Sequence, residues 1–263
     1  MGTFTTLARP RAAWPSWADL INHRPSVATQ NALLARFAPS SGYFHPIEDG
    51  FGEINLDYYP VRVDKLPTVN GAVLTPEALL RYVRLNINDF LDPSIAHFEP
   101  YEPKYDPTML RDKQRWESEA PEGAVVSIDM KSLFGYLNVD DGSVVCSFFE
   151  PKRWIFSTLH TPEDGAHPVS GNREFGFFRT EEGWTMFYVR GADRATAILH
   201  DMGNIVDVVF GAADNLWQSY QTNLVKFIAD HGGSASILPR TWERFAWGGV
   251  KLVVFNPKVP RVR

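Results

Sequence analysis

Residues 174–190, EFGFFRTEEGWTMFYVR, decide how this chain folds. Two runs rich in aromatic and β-branched residues, 174–180 and 184–190, are parted by Glu181-Glu182-Gly183. A three-residue loop ending in glycine suits a type I turn closed by a left-handed glycine, so the stretch reads as a β-hairpin. Upstream, residues 124–130, 133–139, 143–149 and 154–159 repeat the pattern, with Asp140-Asp141-Gly142 as a second such turn. Strands joined by tight turns pair antiparallel. Downstream, residues 214–231 carry an apolar stripe through Trp217, Tyr220, Leu224 and Ile228, with Asp214 as the expected cap and Gly232-Gly233 as the stop. A last strand is expected over 250–255. Consecutive strands followed by one long amphipathic helix define an α+β fold, an antiparallel sheet packed against that C-terminal helix.

The N-terminal half reads less regularly. Helical segments are expected at 16–21 and 29–37, and a strand at 52–63 broken or bulged at Pro60. Thr75-Pro76-Glu77 is a helix start, and the helix runs to 91, before Pro93. Residues 92–122 hold five X-Pro pairs and are expected to wrap irregularly along the body, held by Phe98, Tyr101, Tyr105 and Trp116. The expectation is a single domain over 1–263, with 1–122 helical and irregular and 123–263 carrying the sheet, helix and final strand.

Composition narrows the function classes. With 44% hydrophobic and 22% charged residues the chain can bury a core, so it is not disordered. Aromatic residues make up 13%, which calls for a thick core or an aromatic-lined cavity; the core is the simpler expectation. A net charge of −5 with scattered Lys and Arg leaves no footprint for nucleic acid. The lone cysteine, Cys146, excludes an internal disulfide and a Cys-rich zinc site, and its neighbours Val145 and Phe148 mark it as a core residue. There is no signal-peptide core near the N-terminus and no apolar run long enough for a membrane span. A cytoplasmic location is therefore expected, although secretion routes without a cleavable signal leave no mark of this kind.

Nucleophile-elbow, P-loop, dinucleotide-binding, zincin and EF-hand motifs are all missing, and no cofactor is expected. The densest polar cluster is 160–173, read as a loop between strands that offers His160, Asp164, His167, Ser170, Asn172 and Arg173. A second cluster, Arg190-Gly191-Ala192-Asp193-Arg194, ends the hairpin. Antiparallel pairing is expected to bring Arg173 and Arg190 together, where two guanidiniums would want an anion or the carboxylates Asp193 and Glu174. His160, Asp164 and His167 have ligand chemistry for zinc or iron, but their spacing is loose and no metal is expected.

The segment from His167 to Gly176, HPVSGNREFG, together with YVRGADR at 188–194, resembles a paired signature found in a set of uncharacterised bacterial proteins. The similarity extends from the helix at 75–91 to that at 214–231, and it implies no catalytic role for any residue.

The leading reading is a binding domain for a small polar or anionic ligand, held by Ser170, Asn172, Arg173, Arg190 and Arg194. An enzymatic alternative, a hydrolase or secreted effector, makes His167 the general base, with Asp164 or Asp193 orienting it. A third reading is a structural module whose aromatic surfaces drive homo-oligomer formation.

Overall fold

A computed structural model describes residues 17–37, 43–130, 141–196 and 205–248. In chain order the main elements are helices α1 (Trp17–Asn22) and α2 (Val27–Phe37), strands β1 (Tyr43–Phe44), β2 (Phe51–Lys65), β3 (Thr68–Val69) and β4 (Ala72–Val73), and helix α3 (Pro76–Leu85). Strand β5 (His97–Pro100), helices α4 (Tyr101–Tyr105) and α5 (Arg111–Glu117), and strands β6 (Val125–Asp129), β7 (Asp141–Glu150), β8 (Arg153–Thr161) and β9 (Gly165–Ala166) follow. The chain continues through β10 (Val169–Arg179), β11 (Thr185–Ala195), helix α6 (Ile205–Asp230), β12 (Ser234–Ile237) and β13 (Thr241–Phe245). The strands expected at 133–139 and 250–255 lie outside the described residues.

The fold is α+β. The main sheet runs β12-β2-β11-β10-β8-β7-β6-β5, every pairing antiparallel, and α6 packs along one face. That face, called the helix face below, presents Tyr59, Val61, Phe156, Phe175, Phe187 and Val189 to Trp217, Tyr220, Leu224 and Ile228 of α6. Tyr220, Leu224 and Ile228 are fully buried, and the Leu224 and Ile228 side chains each contribute roughly 1.5–3 kcal/mol by leaving water. The opposite face carries Ile54, Leu56, Tyr58, Ile155, Tyr188 and Ala192 and is covered by α1 and the turn around Ile47.

The 174–190 hairpin forms as expected. Thr180 N–H donates to the Trp184 carbonyl (2.9 Å), and Gly183 takes φ +89°, the left-handed conformation that its lack of a Cβ allows. Thr75 caps α3, its Oγ1 accepting from the Ala78 amide at 3.1 Å. The helix then stops at Leu85 and a 3₁₀ turn, Ile87–Phe90, completes the segment.

Four expectations need correction. β2 is not broken at Pro60. Its register with β11 passes through Pro60 opposite Tyr188 without a shift. On its other edge β13 pairs with residues 54–58 and β12 with 61–65, so the proline falls where the partner strand changes and its missing N–H costs no bond to either. The 92–122 segment is not wholly irregular, because residues 97–100 join the sheet as β5, ending at Pro100, and 101–105 and 111–117 form α4, with Pro103 in its first turn, and α5. Asp214 is no cap: α6 starts nine residues earlier, and the carboxylate accepts from Tyr59 Oη (3.0 Å), Gln218 Nε2 (2.9 Å) and Arg240 Nη2 (2.7 Å). Finally, β10 begins at Val169 and β11 continues to Ala195, so most of the residues read as loop or strand end are paired strand.

Candidate functional site

Extending the two strands settles where the polar residues point. Arg173 lies opposite Gly191, and Glu174 opposite Arg190. Successive side chains on a strand face opposite ways. Arg173 and Asp193 therefore share the helix face, while Ser170, Asn172, Glu174, Arg190 and Arg194 share the other. The expected approach of Arg173 to Arg190 does not occur.

On the helix face, Arg173 donates from Nη1 and Nη2 to both oxygens of Asp57 (2.6 and 2.9 Å), and Nη2 also reaches Asp193 Oδ2 (2.6 Å). Its guanidinium lies over the Trp217 ring of α6, 4.6 Å from the centroid. Gly191 makes the arrangement sterically feasible, since a Cβ there would sit 2.1 Å from Arg173 Nη2. Asn55 supports Asp57 through an Nδ2 hydrogen bond of 3.0 Å. Burial works against the charge on Arg173, but Asp57 and Asp193 more than offset it and its pKa lies above the ordinary arginine value. Asp193 shows the opposite balance. Burial, opposed by Arg173 and reinforced by Asp57, pushes its carboxyl up to about 7. One guanidinium cannot neutralise two buried carboxylates, so the pair retains a proton near neutrality.

Of this triad, Arg173 and Asp193 line a cavity of about 860 Å³, counting the open solvent at its mouth, between the sheet and α6. The walls are apolar, with Phe98, Val144, Phe156, Phe210, Leu216 and Trp217 among them, and the polar residues are Arg173, Asp193, His167 and Thr158. His167 is buried, and its Nδ1 lies 3.0 Å from the Val169 carbonyl oxygen. Burial lowers its pKa to about 4, so the ring is neutral at physiological pH. Thr158 Oγ1 accepts from the Gly171 amide at 3.0 Å.

The general-base arrangement expected around His167 is not formed. Asp164 accepts from Tyr105 Oη and Ser143 Oγ, with Lys104 Nζ at 3.6 Å, and Asp193 belongs to Arg173. His160 meets Tyr43 Oη (3.1 Å) instead of Asp164 or His167, and among the described residues no cluster of His, Cys, Asp and Glu could hold a metal ion. Cys146 is fully buried and its thiol pKa is pushed up by burial, which makes it inert.

On the opposite face the remaining candidates fasten the structure. Asn172 Nδ2 donates to the carbonyls of Leu20 (2.9 Å) and His23 (3.2 Å), and its Oδ1 accepts from Ser157 Oγ (2.6 Å), pinning α1 to the sheet. Arg190 pairs with Glu174 at 3.0 Å, both fully buried. Arg194 donates to the carbonyls of Ile47, Glu48 and Gly52 and lies 4.5 Å from the Trp247 ring centroid. Ser170 packs beneath Gly50, where a Cβ would come within 2.7 Å of its Oγ. Of the arginines expected to bind an anion, Arg173 and Arg190 are thus paired with the protein's own carboxylates, and Arg194 donates to three backbone carbonyls.

Asp57 was not among the residues singled out in the sequence, and Gly191 and Trp217, named there in the second cluster and in the helix stripe, were given no part in the site. Asp57 left a signal, an acid inside a strand whose neighbours Leu56, Tyr58 and Tyr59 are all buried. Gly191, directly between Arg190 and Ala192 in β11, left another, since a strand glycine often marks a close approach.

No protein-family model matches the chain, and no curated protein does. Among solved structures it is similar to the crystal structure of the di-domain ARO/CYC StfQ from the steffimycin biosynthetic pathway. Identity is 12% and the TM-score 0.42, over 71% of this chain and 53% of that one, so the chain spans about half the length of StfQ. It is also similar to a conserved protein from Geobacillus kaustophilus, at 10% identity and a TM-score of 0.33, over 69% of this chain and 98% of that one. Likenesses this distant say nothing of ligand or reaction. Among the described residues, no helix is long and apolar enough to cross a membrane.

Proposed function

We propose that the protein binds an apolar small molecule in the cavity between the sheet and α6, with the molecule's polar end at the Asp57–Arg173–Asp193 triad. The observation that carries this reading is the distribution of polarity: aromatic and aliphatic walls, with the polar groups few and the two charged ones, Arg173 and Asp193, paired with each other. Concave apolar space with a few placed polar groups is the usual form of a small-molecule site. Apolar walls supply affinity through the area they take from water, and the triad fixes which way round the ligand enters. Ala213, on the cavity side of α6, is small enough that a larger side chain there would fill the space.

The test is a titration with Nile red, a neutral dye whose emission brightens in apolar surroundings. The wild-type protein binds the dye, and Ala213→Trp loses at least tenfold in affinity while its circular dichroism and thermal midpoint stay near wild type. Equal affinity in a folded Ala213→Trp protein places the dye elsewhere and removes the proposal.

A further inference from the structure

The charges that line the cavity define the head group that belongs there. Asp57 and Asp193 bring two carboxylates to one guanidinium, Arg173. Asp57 has both oxygens engaged by Arg173. Asp193 is 6% exposed and lines the cavity, and among the described residues its hydrogen-bond partner is Arg173, through Oδ2 alone. Oδ1 is left to whatever enters.

The other titratable groups facing this point do not redress the balance. From β2, Tyr59 is a neutral phenol, its pKa raised by burial first and by Asp57. From α6, Asp214 is matched by Arg240 at 2.7 Å. His167, ahead of β10, is uncharged because burial lowers its pKa. An ionised triad therefore holds one uncompensated negative charge against apolar walls, where a lone charge is costly and attracts either a proton or a cation.

Building on the cavity-binding reading, we propose that the site takes an apolar molecule ending in a protonated amine, which donates to Asp193. A carboxylate ligand meets like charge in the same place and is rejected. An alcohol of the same shape binds through the walls alone.

The two cations on Asp193, proton and amine, compete, so affinity for the amine rises with pH. Asp193 holds its proton up to about pH 7, whereas an alkylamine, like a lysine side chain, stays charged to about pH 10. Amine affinity at pH 8 exceeds that at pH 6 by roughly tenfold, and alcohol affinity barely changes.

The experiment displaces Nile red with 4-phenylbutylamine, 4-phenylbutanol and 4-phenylbutyrate at pH 6 and pH 8. At pH 8 the amine displaces the dye at a concentration at least tenfold below the alcohol, and the carboxylate does not displace it. In Asp193→Asn the amine falls to the level of the alcohol at both pH values. The head-group series on the wild-type protein stands by itself even if that variant does not fold. A carboxylate that competes as well as the amine, an amine no better than the alcohol, or an amine advantage that survives Asp193→Asn overturns the head-group assignment while leaving the cavity reading in place. Failure of Nile red to bind at all overturns both.

Discussion

Arg173 and Arg190 are diagonal neighbours on one hairpin, and the sheet between them gives them different work. Arg190 is fully buried on the face covered by α1, where it holds Glu174 at 3.0 and 3.2 Å. Tyr188 Oη (2.6 Å) and Arg153 Nη1 (3.2 Å) also donate to that carboxylate. Burial opposes the charge of Glu174, but Arg190, Tyr188 and Arg153 more than offset it and hold its pKa below the usual value. Arg173 stands on the helix face among two carboxylates, one of which is driven toward protonation, and it borders empty space. The closed network fastens layers together; the over-supplied one borders the cavity in which we propose that a ligand binds. A count of charged residues in the sequence cannot separate the two, whereas the parity of their positions along the strand does.

The largest effect that tests this contrast comes from Arg190→Met. Removing one partner of a buried ion pair typically costs about 3–5 kcal/mol, and Arg153 retains part of the compensation here. Urea unfolding should show a loss toward the lower end of that range, with dye affinity per folded molecule unchanged. A loss below about 1 kcal/mol means that the far-face network is not a structural fastener.

Next in size is the pH dependence set by Asp193. Its folded pKa, about 7, lies above the ordinary aspartate value of 3.8, so its contribution to stability is fully present below about pH 4 and is lost as pH rises through 7. Between pH 5 and pH 8 the loss is on the order of 2–3 kcal/mol, at about 1.4 kcal/mol for each of the two pH units between 5 and 7. His23 and His167, with pKa values lowered by burial to about 4, act in the other direction, losing their contribution as pH falls below 6.5. Both histidines remain in Asp193→Asn, so their effects cancel in the difference between the two proteins. Thermal midpoints measured from pH 5 to pH 8 should show wild type losing ground to Asp193→Asn as pH rises; parallel curves remove the account of a shared proton.

The smallest effect belongs to Gly191→Ala. The new methyl would meet Arg173 Nη2 at 2.1 Å and Cζ at 2.3 Å, so the guanidinium must move off Asp57 or the strand must shift. Overpacking of this kind costs roughly 1–3 kcal/mol. The variant should also lose discrimination between amine and alcohol, which Arg190→Met should not.

Much of the fold was legible because its signals are local. The turn at Glu181-Glu182-Gly183, the Thr75 cap and the Trp217-Tyr220-Leu224-Ile228 stripe each fall within a few residues. The ends of β10 and β11 were not. Asn172 and Arg173 read as loop residues, and Asp193 and Arg194 as a strand end, because strand interiors rarely hold such groups unless buried partners satisfy them, and Asp57 lies 116 residues from Arg173. β2 misled for a related reason. Both of its faces are buried, Ile54, Leu56 and Tyr58 on one and Tyr59, Val61 and Val63 on the other, so the apolar pattern seemed to change phase at Pro60 when the strand runs straight through. Which polar cluster borders a cavity depended on strand parity, and that required the strand boundaries.

The most direct measurement is a crystal structure of the protein with 4-phenylbutylamine. Ligand density is expected between α6 and the sheet, with the phenyl ring among Phe98, Phe156 and Trp217 and the amine nitrogen within hydrogen-bond distance of Asp193. Density at the Arg190 face or outside the cavity, with the space between sheet and helix closed by side chains, would contradict that placement.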